Sequence, residues 1–146
     1  MNSLKFLHFS DIHLDAPFGS LGSELLAAEK RRQDLLEVFD RIIDIAKMEA
    51  VDIILVSGDL YEHEHVRKST IHYINKKFGE IPAIKVFIVP GNHDPYISNS
   101  FYRNFEWSEN VHILSADRPK VFLKEHNACV YGAGFSNFHQ EKSLIE

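Results

Sequence analysis

The sequence predicts an α/β fold, and three observations carry that reading. Short apolar runs of strand length alternate with longer stretches whose apolar residues recur every three or four positions. The first three runs each stop at a cluster of Ser, Gly, Asn and Asp, the residues of loops at strand ends. The chain has 146 residues, 45% hydrophobic and 25% charged, the balance of one globular domain with a real core and not of a disordered or membrane chain.

Taken in order, Leu4, Phe6, Leu7 and Phe9 form a compact run that reads as a buried strand, delivering Ser10 and Asp11 into a loop over residues 10–20. Leu35, Leu36, Phe39, Ile42, Ile43 and Ala46 then recur at helical spacing, while Arg31, Arg32, Glu37, Asp40, Arg41 and Lys47 fill the other faces. This is an amphipathic helix packing on a sheet. Ile53, Ile54, Leu55 and Val56 make a second strand, broken at Ser57-Gly58-Asp59, and residues 66–78 make a second helix with Ile71 and Ile74 inward. Residues 83–89 form a third strand stopped by Pro90-Gly91-Asn92, and residues 111–114, 120–124 and 128–135 form shorter ones. The strand-helix-strand-helix-strand start implies a mainly parallel sheet. Residues 96–110 show no clear period, and residues 140–146 read as the opening of a helix without the Gly, Asn or Pro that marks a helix end. The chain is therefore expected to be the N-terminal part of a single domain spanning 1–146, cut before its end.

Composition narrows the function. Sixteen basic against 21 acidic residues leave a formal charge of −5, which argues against gripping nucleic acid by a broad basic surface alone. Nine His against the single Cys129 exclude an internal disulfide and thiolate zinc cages, and leave imidazole and carboxylate sites open. The expected compartment is the reducing cytoplasm. No stretch approaches the ~20 apolar residues of a membrane span.

Three strand ends carry one chemistry. The first gives Ser10-Asp11-Ile12-His13, the second Ser57-Gly58-Asp59, and the third Gly91-Asn92-His93-Asp94. In open α/β sheets the functional crevice lies beyond the carboxyl ends of the strands, so these metal-ligand residue types converge there. Asp-x-His alone means little, since composition predicts ~0.55 chance occurrences, but Gly-Asn-His-Asp is expected only ~0.0015 times.

With these blocks the sequence resembles the calcineurin-like metallophosphoesterases, whose pattern is Asp-x-His, Gly-Asp, then Gly-Asn-His-Asp or Glu. The surrounding residues are most similar to bacterial DNA repair exonucleases of the SbcD and YhaO type, over about residues 4–135 and ending with Val130-Tyr131-Gly132-Ala133-Gly134-Phe135. The resemblance implies a layered α/β sandwich and two divalent ions, with Asp11 and His13 on one, Asp59 bridging both, and Asn92 on the other. Mn²⁺ is the first choice, with Fe or Zn²⁺ as alternatives, because carboxylate, imidazole and amide ligands without thiolate suit ions of intermediate hardness. It further implies hydrolysis of DNA phosphodiesters by in-line attack of a hydroxide bridging the ions, with His93 stabilising the transition state or protonating the leaving oxygen and Asp94 fixing its tautomer. A coiled-coil ATPase partner and a homodimer follow by the same analogy. A phosphomonoesterase or cyclic-nucleotide phosphodiesterase, or a catalytically incomplete fragment, fits the same motifs.

The pattern also departs from the family's. Its later ligands, a Gly-His and a Gly-His-x-His block, are absent from this sequence, so the second ion is expected to bind poorly. The position three after Asp59, often His in the repair nucleases, is Glu62, followed by His63 and His65. Alternating charge over 62–65 is the pattern of a solvated loop. His8, His72, His112, His126 and His139 read as structural or surface residues, and Phe101, Tyr102, Phe105 and Trp107 as core packing before a stacking platform for bases. Arg31-Arg32 and Lys76-Lys77 are weak candidates for phosphate contacts.

Overall fold

The structure is a computed structural model that describes residues 3–18 and 25–144. Four parallel strands form the central sheet in chain order: β1 (Phe6–Phe9), β2 (Ile53–Ser57), β3 (Lys85–Val89) and β4 (Val111–Ile113). The register sets Leu7, Ile54, Val86 and Val111 in one row and Phe9, Val56, Ile88 and Ile113 in another. Because strand side chains alternate between faces, these rows share one face. Against that face pack Phe39, Ile43 and Ala46 of α1 (Leu25–Met48) and Ile71, Ile74 and Phe78 of α2 (Lys68–Gly79). The opposite face buries Ile53, Phe87 and Leu114 against Leu123, Val121 and Val130 of an antiparallel pair, β5 (Lys120–Leu123) and β6 (Ala128–Tyr131). Helices, parallel sheet and hairpin make three layers, a layered α/β arrangement of the kind the resemblance implies.

Two polar side chains fasten the connections between elements, the first of them in a loop that carries the site. The N-terminus of α2 has no side-chain cap of its own, and Asp15 supplies one, accepting from Arg67 N at 2.8 Å and Thr70 Oγ1 at 2.7 Å. A carboxylate there also faces the positive end of the helix dipole. Asn110 Nδ2 donates to the carbonyls of Phe78, Ile81 and Ile84 at 2.9, 3.1 and 2.9 Å, closing the turn from α2 into β3.

Several elements differ from expectation for identifiable reasons. The first strand lies at the sheet edge and not buried, with Phe6 56% exposed on the outer face. The first helix, described from Leu25, extends ahead of its apolar period and keeps Leu25 and Leu26 in solvent. Residues 96–110 contain one short helix, α3 (Phe101–Asn104), capped by Ser100 Oγ accepting from Tyr102 N at 3.1 Å. Its aromatic neighbours are core: Tyr102 is buried, and Phe101, Phe105 and Trp107 pack against the same cluster. The last strand stops at Tyr131, and residues 140–144 form no helix. Lys76 and Lys77 sit in the last turn of α2, with Lys77 paired to Asp40 at 3.3 Å, and Arg32 faces Glu29 at 4.0 Å. Residues 19 and 20 of the expected first loop lie outside the described residues.

Candidate metal centre

The loops after β1 and β2 run side by side beyond the sheet. Asp11 N donates to Gly58 O at 3.2 Å, His13 N to Asp59 O at 3.0 Å, and Leu14 N to Leu60 O at 3.0 Å. Along this seam Asp11, His13, Asp15 and Asp59 hold left-handed backbone, with φ of 56, 52, 64 and 54°. Each such residue costs roughly 1–2 kcal/mol, so the fold accepts strain to aim these side chains. Gly91 lets the third loop close on the second, since an added Cβ would run into the Asp59 carboxylate and lie 2.7 Å from Asp59 N.

Three expected ligands meet at this junction. His13 Nε2 lies 3.8 Å from Asp11 Oδ1 and 3.9 Å from Asp59 Oδ2. Asp59 is anchored from behind, its Oδ1 accepting from His93 N at 2.9 Å. The other nitrogen of His13, Nδ1, donates to Glu62 Oε1 at 2.7 Å, which leaves the Nε2 lone pair facing the carboxylates. The second oxygen of Glu62 takes His93 Nδ1 at 3.0 Å, and the two imidazoles meet edge to face with centroids 4.8 Å apart. Asn92, on the same turn as His93, is exposed and lines a cavity with His93 and Glu62.

The electrostatics follow from the Glu62 fork. Burial alone raises the Glu62 carboxyl, but the hydrogen bonds from His93 and His13 outweigh it and hold it below its ordinary value. The hydrogen bond to Glu62 raises His93 in turn, against the opposing effect of burial. Glu62 is the residue whose role the sequence did not reveal. Its substitution for His was visible, but nothing local shows which two rings it reaches.

Asp94 requires a correction. Expected to fix the tautomer of His93, it is instead engaged by Gly91 N at 2.6 Å, Asp59 N at 2.9 Å, Leu60 N at 2.8 Å and Tyr102 Oη at 2.6 Å. It is fully buried and braces the second and third strand-end loops against α3. Burial lifts its carboxyl to about 6 despite those four donors. Tyr102 supplied no sequence signal beyond its apolar spacing.

The other histidines divide as follows. His63 is half-buried against Phe138, with ring centroids 5.9 Å apart, and is not a solvated residue; His65 is exposed. His139 lines the cavity beside Asn92 and His93. His8 pairs with Ser57 Oγ at 2.8 Å on the outer sheet face, His72 meets Phe105, and His126 lies 3.8 Å from Asp52. His112 stacks on Phe87.

Comparison with known proteins agrees with this geometry: residues 4–144 match the calcineurin-like phosphoesterase family. The chain belongs to that family. Along its whole length it is 33% identical to a protein of Bacillus subtilis described as the uncharacterized metallophosphoesterase YhaO, of which it spans 36%. Over 62% of the chain it is 24% identical to the DNA double-strand break repair protein Mre11 of Methanopyrus kandleri and 28% identical to that of Saccharolobus solfataricus. It spans 19% and 23% of those two proteins. Divalent ions belong to the family's chemistry, and the donor set fits them. The ligand atoms of Asp11, His13 and Asp59 lie within 4.8 Å of one another, two carboxylates and one correctly turned imidazole without thiolate. The group His13, Glu62 and His93 is equally close, but its 2.7 and 3.0 Å separations are hydrogen bonds supporting a ligand. Among the described residues no helix is long and apolar enough to cross a membrane.

Proposed function

We propose that this chain carries the metal- and phosphate-handling part of a metal-dependent phosphodiesterase, a DNA exonuclease of repair acting in the cytoplasm. The observation that carries the reading is the convergence of Asp11, His13 and Asp59 with a Glu62-held His93 at the carboxyl ends of β1, β2 and β3. Likeness to the two Mre11 proteins supports DNA as the substrate. The exposed, unpaired Cys129 suits a reducing compartment.

Asp11, His13 and Asp59 would hold one divalent ion, with Asp59 and Asn92 serving a second, and Mn²⁺ is the first choice for these donors over Fe and Zn²⁺. When bound, such ions neutralise phosphate charge and acidify a water to a nucleophile near neutral pH. The chain's own residues do the rest. Glu62 accepts the hydrogen bond from His93 Nδ1, so Nε2 is the nitrogen left to face a phosphate. Protonated on both nitrogens, His93 can pass its Nε2 proton to the leaving oxygen. Glu62, with a side chain only 15% exposed, holds this arrangement from beneath.

The test is hydrolysis of linear duplex DNA, small phosphodiesters and phosphomonoesters by a polypeptide of the relatives' full length. Duplex DNA is expected to be cleaved preferentially, and His93→Ala to lose roughly 10²–10⁴-fold in rate with the fold intact. Undiminished activity in Asp59→Asn or His93→Ala would overturn the site. Preference for monoesters would overturn the substrate.

A further inference from the structure

The outermost strand of the parallel sheet, β4, is paired on one side only. Toward β3, Asn110 O accepts from Val86 N and Leu114 N donates to Ile88 O, both at 2.8 Å. Backbone groups alternate in direction along a parallel ladder, so those of Val111 and Ile113 point away from β3. Ser108 O takes Val111 N at 2.9 Å, and beyond the strand Ser115 and Arg118 bond each other at 3.2 and 3.0 Å. Between these two stops, the Val111 carbonyl and both backbone groups of Ile113 have no partner among the described residues. Such an edge is a template for one further strand.

A cavity of about 460 Å³ runs along that edge. Its apolar wall is Tyr96, Phe105 and Trp107, with the partly exposed side chains of Val111 and Ile113. The wall is formed in advance: Trp107 Nε1 donates to Phe101 O at 3.0 Å, and its ring meets Phe105 edge to face at 5.2 Å. Asp117 and Arg118 make the polar rim, and Arg118 has no ion-pair partner among the described residues. An added strand would turn alternate residues to the two faces of the sheet. Those on the side of Val111 and Ile113 meet the aromatic wall. Those on the other side meet the environment of His112, whose imidazole is lowered by burial and then by the charges of Lys85 and Arg118, so the charge acting there is positive. We propose that the β4 edge docks an extended segment of a partner protein, which pairs with Val111 and Ile113, sets alternate apolar side chains against Phe105 and Trp107, and presents acidic residues to Arg118. The proposal is independent of the metal centre and of its substrate.

The test is an NMR titration of the isotope-labelled chain with a capped synthetic heptapeptide of alternating pattern, Thr-Val-Glu-Leu-Glu-Val-Thr. Two controls accompany it, one with lysine in place of both glutamates and one shuffled to Val-Leu-Val-Thr-Glu-Glu-Thr. The alternating peptide is expected to shift the Val111 and Ile113 amides and the Trp107 indole, and to bind roughly tenfold tighter than either control. Arg118→Glu, at an exposed side chain, should reverse the preference between the glutamate and lysine peptides. Ile113→Pro, which removes the outward N–H and leaves the bonds to β3 in place, should weaken the alternating peptide by roughly tenfold. Equal binding of the three peptides, shifts confined to other parts of the chain, or an unreversed preference in Arg118→Glu overturns the proposal. Two other results overturn it by naming a different occupant. Concentration-dependent shifts of β4 without peptide would mean a second copy of the chain. An Ile113 amide protected from hydrogen exchange in a polypeptide of the relatives' full length would mean that the rest of that polypeptide already covers the edge.

Discussion

A single carboxylate organises the two imidazoles on which the proposed chemistry depends. Glu62 accepts from His13 Nδ1 with one oxygen and from His93 Nδ1 with the other, so both rings present Nε2 to the crevice in one stroke. An amide cannot do this. In Glu62→Gln the oxygen can accept from one ring, but the NH₂ must find an acceptor in the other, which forces that ring to carry its proton on Nε2. If that ring is His13, the nitrogen facing Asp11 and Asp59 loses its free lone pair. Mn²⁺ affinity, read by calorimetry, should therefore fall roughly 10–100-fold in Glu62→Gln, the usual effect of removing a group that orients a ligand. An unchanged affinity would show that the fork holds nothing the metal needs. The proposed ligands are legible in the sequence because Asp-x-His, Gly-Asp and Gly-Asn-His-Asp are each contiguous. The fork was invisible in it because the partners of Glu62 lie 49 and 31 residues away.

At the level of elements, the strand-end loops are held by a buried polar brace and by the sheet beneath them. Tyr102 of α3 donates to Asp94 at 2.6 Å, and Asp94 ties Gly91, Asp59 and Leu60 together. Tyr102→Phe keeps the ring in its buried place and removes one donor from a buried carboxyl, so stability should drop by roughly 1.5–3 kcal/mol in urea unfolding. A smaller loss would mean that the three backbone donors suffice. In β4, burial, followed by the nearby charges of Lys85 and Arg118, lowers the His112 imidazole below its usual value. As pH falls through about 6.5 the unfolded chain takes this proton first, so the folded state loses stability until His112 itself is protonated. His112→Phe preserves the stack on Phe87 and removes that proton, so the drop in urea midpoint from pH 7.5 to pH 5 should be smaller than in the parent chain. An identical drop would place the acid sensitivity elsewhere. The parallel core was legible because β2 and β3 are apolar runs closed by Gly-containing stops, and the helices because their inward residues keep the helical period. The edge position of β1 and the brace at Tyr102 were not, since which strand gains two neighbours and which aromatic reaches a carboxyl are decided by packing across the sheet.

For the whole molecule the question is how an acidic chain would handle the polyanion proposed as its substrate. With a formal charge of −5, and with Asp11, Asp59 and Glu62 gathered at the crevice, the metal-free chain repels phosphate where it is meant to bind. Each divalent ion reverses this locally and also relieves the mutual repulsion of the carboxylates, so ion binding and folding must be coupled. A ligand that binds only the folded state adds stability in proportion to the logarithm of its concentration, about 2.7 kcal/mol at one hundred times its Kd. For a chain of this size that corresponds to a rise in Tm of roughly 5–10 °C. Calorimetry should find one ion held firmly by Asp11, His13 and Asp59, because Asn92 alone is a poor counterpart to Asp59 for a second. The Tm rise should vanish in Asp59→Asn, which removes one full charge from the set while keeping an oxygen that can accept from His93 N. A second firm ion in the parent chain would mean that residues beyond Asp11, His13, Asp59 and Asn92, with Glu62 and His139 nearest to hand, ligate directly. An undiminished Tm rise in Asp59→Asn would move the metal away from the strand ends altogether.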